Sequence, residues 1–226
     1  MDLEILNSEA HRDLRLGKNS RTPHFVQIVA AEFAPAAATC PILIAKDGDS
    51  GKFYVGAMFG FKAGENLLEA ADGTSDAFRP LDFERQGFYI VGDDIAIDPA
   101  NPRLNAANGE PLFEEGGQPS DALRTMQRVL GQLNAGVALT DTFIATMMAQ
   151  KLIEPIDISL SFDDGETLSL EGLYTVSLDG LHDLDDAAAL DLFRRGYLQL
   201  AYCMAGSLRQ VPVLARRRNR QLSAAF

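Results

Sequence analysis

FVQIVAAEF at residues 25–33, CPILIAK at 40–46, DGDSG at 47–51 and KFYVGAMFGF at 52–61 are the segments whose reading decides this fold. Phe25, Gln27 and Val29 alternate with Val26, Ile28 and Ala30, with little polarity on either side. That pattern predicts a central strand, running on towards Phe33 and buried on both faces. Pro35 and the alanines to Ala38 predict a short connection of one helical turn. Pro41 is acceptable at a strand start, where its missing N–H costs no ladder bond. Asp47–Gly51 supplies the glycines and aspartates of a hairpin loop, so Phe53–Phe61 should return against Pro41–Lys46.

Outward from this ladder, residues 1–24 are polar and irregular. They hold His11, Arg12, Arg15, Lys18, Arg21 and His24, a basic segment expected to pack across the sheet or to stay partly mobile. Phe83–Val91 reads as a strand entered through a bend, and Ile95–Asp98 as a short strand after the Gly92–Asp94 turn. Pro99–Pro119 is rich in Pro, Gly and Asn, long for a structureless connection and thus a candidate functional or mobile loop. Ser120 can cap a helix carrying Leu123, Met126, Leu130 and Leu133. Thr140 can cap a second, carrying Phe143, Ile144, Met147, Met148 and Leu152, so an Asn134–Gly136 turn would make an antiparallel pair. The methionines read as core filling.

Ile156, Ile158, Leu160 and Phe162 alternate strictly, as do Leu168 and Leu170, with Asp163–Glu166 as the hairpin turn between them. Asp179-Gly180 marks a further turn. Helices are expected over Asp185–Arg195, stopped by Gly196, and over Tyr197–Gln210. Pro212 then opens a last turn before the basic run Ala215–Arg220, expected as a solvated end. The whole predicts a single α+β domain over residues 1–226. A mostly antiparallel N-terminal sheet in a β-rich part (1–119) is packed by a C-terminal helical layer, and residues 120–226 add a hairpin that joins or flanks the sheet.

The bulk numbers exclude some functions. Hydrophobic residues are 46% of the 226, enough for a sizeable core. A net charge of −12 argues against nucleic acid and against anionic lipid as partners. No apolar run reaches the ~20 residues of a membrane span. The N-terminus lacks the basic-then-apolar pattern of a secretory leader, so a cytoplasmic location is expected, with leaderless export to the cell surface as the alternative. Cys40 and Cys203 read as two reduced, buried thiols.

Few residues suggest chemistry. His11, His24 and His182 lack partners at metal-ligand spacing, Asp47–Lys52 lacks a calcium loop's terminal Glu, and no phosphate loop or serine elbow is present. No catalytic residue, metal or cofactor is assigned. Glu32 is the carboxylate of most interest, because beside a buried strand it must be paired, protonated or at a mouth. Arg79 and Arg85 are its candidate partners, as an ion pair closing the sheet end or as a polar anchor in a pocket. Asn66 reads as a turn residue bonding its own backbone.

Taken in order, His11 with Leu14 and Leu16, Glu32-Phe33, Cys40-Pro41-Ile42, Gly60, Gly64–Leu67, Gly109–Phe113, Gly196, Leu198 and Ser207-Leu208 resemble the SapC family of bacterial proteins over nearly the whole chain. The sequence departs where that family suggests a tryptophan near position 73 and an RRxPF-like run; Asp76-Ala77-Phe78 and Glu84–Phe88 stand there instead. The resemblance implies a link to bacterial surface layers. It also implies association with flavin-dependent halogenase-like proteins, cupin-like proteins and TonB-dependent receptors. It carries over no active site. The expectation is therefore a non-enzymatic accessory or binding protein recognising a peptide, glycan or protein in a surface or uptake system, with His11, Glu32, Asn66, Arg79 and Arg85 as candidate ligand-binding residues. One alternative is an enzyme using Glu32 and His11 as general acid and base, with Arg79 or Arg85 holding an anionic substrate. The other is a self-assembling surface-layer component.

Overall fold

Backbone hydrogen bonding turns the apolar ladder into a sheet, but with an edge where a centre was expected. The structure is a computed structural model that describes residues 2–19, 23–69 and 78–224; the departure at Asp76-Ala77 lies outside the described residues. In chain order the strands are β1 (Glu4–Ile5), β2 (Arg15–Leu16), β3 (Phe25–Gln27), β4 (Ile42–Lys46), β5 (Phe53–Met58), β6 (Phe88–Val91), β7 (Asp94–Ile97), β8 (Glu110–Pro111), β9 (Ile153–Ser161) and β10 (Thr167–Val176). The helices are α1 (Phe33–Ala37), α2 (Leu81–Glu84), α3 (Asp121–Ala149), α4 (Leu178–His182), α5 (Asp186–Arg194), α6 (Tyr197–Ser207) and α7 (Val211–Ala224). These elements fit the α+β class, with antiparallel strands early and helices late. Packing groups the described residues into two compact units, one from Thr22–Pro80 with Gly136–Phe226 and one from Met1–Arg21 with Leu81–Ala135.

The larger unit holds a five-stranded antiparallel sheet in the order β3-β5-β4-β10-β9. The hairpin across Asp47–Gly51 forms as expected, pairing Ile44 with Val55 and Lys46 with Phe53. The later hairpin joins the sheet through β10, where Tyr174 faces Ile44. Ile42, Ile44, Val55 and Ala57 share one face and are completely buried, and α1 and α6 pack against β4. At the outer edge, Pro155 of β9 has no N–H to offer a further strand, a common protection of exposed edges.

Phe25–Phe33 is not a central strand. β3 stops at Gln27 and lies at the sheet edge, and the apolar run continues as a 3₁₀ turn over Ala30–Glu32 and then α1. A run apolar on both sides suits a buried turn as well as a buried strand, and here local capping decides. Glu32 reaches back to accept the Val29 N–H at 2.9 Å, and Thr140 Oγ accepts the Ala30 N–H at 2.8 Å.

The same contact corrects the paired helices. α3 is one continuous 29-residue helix, and Thr140 sits inside it, donating to the Gly136 carbonyl at 2.7 Å. Gly136 is no turn: a Cβ there would lie 2.5 Å from Val29 Cγ2, so its bareness admits the neighbouring segment. Ser120 does cap the helix start, its Oγ accepting the Leu123 N–H at 3.3 Å. Asp179-Gly180 is likewise not a free turn but part of α4, capped by Ser177, whose Oγ accepts the Gly180 N–H at 3.2 Å. The expected helices at Asp185 and Tyr197 form, separated by Gly196 at φ 74°.

In the smaller unit, Phe88, Ile97, Leu104, Leu112, Phe113, Leu123, Met126 and Leu130 build one core. The Pro99–Pro119 segment is an anchored part of it: β8 pairs with β2, and Leu16 bridges Leu104. Buried Arg103 fixes this arrangement by donating to the carbonyls of Gly17, Glu84 and Gln86 at 3.2, 2.7 and 3.0 Å. A guanidinium can be buried when carbonyls replace its water.

Two glycines of α3 should respond oppositely to alanine. Gly131 has nothing near its missing Cβ, so Gly131→Ala should stabilise by about 0.5–1 kcal/mol. Gly136→Ala should destabilise by about 1–3 kcal/mol through collision with Val29. Urea unfolding of both variants measures the pair.

Candidate functional site

The face of the sheet opposite Ile42 and Ile44 carries Phe25, Leu43, Ala45, Tyr54, Gly56, Met58 and Leu173, placed together by strand register. Phe25 faces Met58 across β3–β5, while Tyr54, Ala45 and Leu173 form a row over three strands. Gly56 makes the arrangement possible: a Cβ at position 56 would collide with the Phe25 ring, so the ring lies flat over bare backbone. Phe25 then meets Tyr54 edge-on, with centroids 6.1 Å apart and planes at 70°. A bulge in β10 between Leu170 and Leu173, with Gly172 at φ 74°, turns both leucines to this face.

The result is a groove of about 530 Å³. Its floor is Phe25, Ala45, Tyr54, Met58, Leu170 and Leu173. His24, Lys46, Ser169 and Glu171 edge it, and Gly60-Phe61 closes one end. Burial, then the negative charge of Asp47, pushes the Tyr54 hydroxyl pKa up, so the ring stays neutral. Asp47 is itself held below the usual carboxylate range by the Ser50 hydroxyl and N–H. The groove thus offers apolar and aromatic surface with hydrogen-bonding groups at its rim.

The Phe61 end is fastened by charge. Arg218 of α7 is 6% exposed and lies with its guanidinium carbon 4.1 Å from the Phe162 ring centroid. Its Nε meets Glu65 Oε1 at 3.2 Å and one terminal nitrogen meets Glu166 Oε2 at 2.5 Å. Lys62 also pairs with Glu166, and Glu65 accepts the Phe61 N–H at 2.6 Å. One buried cation therefore ties the C-terminal helix, the β9–β10 turn and the Phe61–Glu65 turn together. This corrects the reading of Ala215–Arg220 as a solvated end at one position: α7 continues through the run with Arg216, Arg217 and Arg220 exposed, and it turns Arg218 inward. Lys62 and then Arg218 hold the Glu166 carboxyl below its ordinary value of 4.5.

None of the five residues singled out in the sequence lines this groove. Glu32 is buried, and its carboxylate serves the Val29 N–H. Asn66 accepts the N–H groups of Leu68 and Glu69 at 2.9 and 3.2 Å, the local turn read from sequence. Arg85 belongs to the smaller unit, where it pairs with Asp82 at 2.7 Å and stacks on Tyr89. His11, also there, accepts the Asn7 N–H on Nδ1 at 3.1 Å, and its Nε2 lies 3.2 Å from Glu4 Oε2. Arg79 is exposed, in the same unit as Glu32. Cys40 is buried and its thiol pKa is pushed up to about 12, which removes it as a nucleophile; Cys203 is a free thiol and half-buried. Among the described residues no cluster of His, Cys, Asp or Glu could hold a metal ion, and no helix is long and apolar enough to cross a membrane. The sequence signal for the groove was Gly56 inside an otherwise apolar strand, which marks a close approach.

The model of the SapC family matches residues 6–214, and the chain belongs to that family. No curated protein and no solved structure matches it.

The charge cluster has testable consequences. Arg218→Ala should cost about 2–4 kcal/mol, because Glu65 is left partly buried without its cation, and Arg218→Lys should rescue little, having no planar fork for two carboxylates. A carboxyl with a depressed folded pKa stabilises above its unfolded value and loses that contribution as pH falls below it. Glu166→Gln should therefore be less stable than the parent at neutral pH and show a smaller stability loss on acidification below about 4.5. Thermal melts across pH provide the measurement.

Proposed function

We propose that this SapC-family chain is a non-enzymatic recognition protein, an accessory in a bacterial surface or nutrient-uptake system, and that its ligand seats on the open sheet face. The observation that carries this reading is the groove over Phe25, Tyr54, Met58 and Leu173, with Gly56 bare beneath an aromatic ring. Apolar floors with a few rim hydrogen-bonding groups suit recognition, since burial supplies affinity and the rim supplies orientation. The half-buried aromatic rings suit an extended peptide with apolar side chains or the flat face of a sugar ring.

Peptide and glycan arrays probed with the intact protein test this. A retained peptide or glycan should lose at least about ten-fold in affinity with Tyr54→Ala, and also with Ala45→Arg, which fills the groove from the floor. Both variants are checked by circular dichroism for an unchanged fold. Binders that keep full affinity for both folded variants would show that recognition lies elsewhere. Turnover of an array compound, abolished by a substitution in the groove, would replace recognition with catalysis.

A further inference from the structure

Charge is segregated along this chain. Seven of its 20 Lys and Arg, and none of its 32 Asp and Glu, lie beyond Phe193, so the last 33 residues carry +7 while the first 193 carry −19. Three of the seven are accounted for inside the fold. Arg218 is buried in its carboxylate cluster, Arg195 pairs with Asp191 and stacks on Tyr197, and Arg217 donates to the Leu67 carbonyl. The side chains of Arg194, Arg209, Arg216 and Arg220 are exposed, and among the described residues no hydrogen bond or ion pair engages their guanidiniums.

Three of those four lie on α7 or in the turn that leads into it. Val211, Leu214 and Arg218 form the buried side of α7. Arg216 and Arg220, four residues apart on α7, stand away from that side, and Arg209 lies in the 3₁₀ turn that opens onto the helix. Seven residues before Arg209, on α6, comes Tyr202, 58% exposed. That turn, Leu208–Gln210, joins the two helices, so an exposed aromatic ring and three exposed guanidiniums follow one another in a row along the chain.

We propose that this row is a docking surface for an acidic helical segment of a partner protein. Carboxylates repeating at three- and four-residue spacing on such a segment match the arginine spacing and can take each guanidinium bidentately. Tyr202 supplies an apolar contact at one end. The charge distribution selects against the other polyanions. A membrane or a nucleic acid presents an extended negative surface, which the −19 of the remaining chain repels, whereas a single helix can meet the row alone. The apolar side of α7 is packed into the fold and is not free to enter a bilayer. The surface is separate from the groove, and the inference stands whether or not the groove is occupied.

Fluorescence anisotropy of the intact chain with a labelled helical peptide tests it, the peptide bearing glutamate at alternating three- and four-residue spacing. Saturable binding at about 20 mM salt, weakened but present near 150 mM, is expected. The Arg209→Gln/Arg216→Gln/Arg220→Gln variant should lose at least about ten-fold in affinity, Tyr202→Ala about three-fold, and Arg12→Glu nothing. A peptide of equal charge with its glutamates gathered at one end should bind at least about five-fold more weakly. Equal binding of the two peptides, full retention by the triple variant, or tighter binding to phosphatidylserine vesicles or duplex DNA than to the spaced peptide would each overturn the proposal. Circular dichroism and melting temperature establish that the triple variant is folded; should it not be, the single Arg216→Gln and Arg220→Gln variants, each expected to lose about two- to three-fold, decide the same question.

Discussion

The ring of Phe25 occupies the space where a side chain at position 56 would stand. From this contact follow several properties of the larger unit. β3 can lie close along β5 with its aromatic residue folded over the sheet. Leu43 beneath is completely buried, and the ring edge meets Tyr54 to make a ridged, half-open surface. A strand glycine weakens a sheet on its own account, and here the loss is offset by the aromatic surface packed in its place. On the opposite face Ile42, Ile44, Val55 and Ala57 are fully closed over. The two faces of one sheet thus differ, one closed as core and one left open as a groove.

Polar groups hold this surface in position. Arg218 is the clearest case, because a buried guanidinium is tolerable only with its carboxylates and the Phe162 face around it. Its partners come from segments about 150 and 50 residues earlier in sequence, so the cluster forms only when the C-terminal helix docks. Thr140 and Glu32 do the same for the segment after β3, replacing the bonds that a longer strand would have made. Arg103 plays the corresponding part in the smaller unit, with backbone carbonyls in place of carboxylates.

Much of this was legible in the sequence, and what was not has physical reasons. The 47–51 and 163–166 hairpins were readable because turn chemistry and alternation agree, and the fold class followed from strands early and helices late. Phe25–Phe33 was misread because uniform apolarity carries no period, so the choice between strand and turn passed to Glu32 and to a threonine more than a hundred residues away. α3 was misread as two helices because Gly136 and Thr140 look like a break and a cap. Both residues in fact serve a neighbouring segment. Arg218 lay in a run of arginines that composition marks as surface, and only its place among Val211 and Leu214 on the α7 face distinguishes it. The groove depends on register and on one bulge, neither of which alternation alone determines.

Methyl and aromatic NMR spectra, recorded while aromatic and sugar fragments are titrated into the intact protein, test the central claim most directly. The account predicts that shifts concentrate on Met58, Ala45, Leu173 and the ring of Tyr54, and that Gly56→Ala, by lifting the Phe25 ring, abolishes them while the sheet persists. Shifts that gather elsewhere, or that survive the Gly56 substitution unchanged, would contradict it.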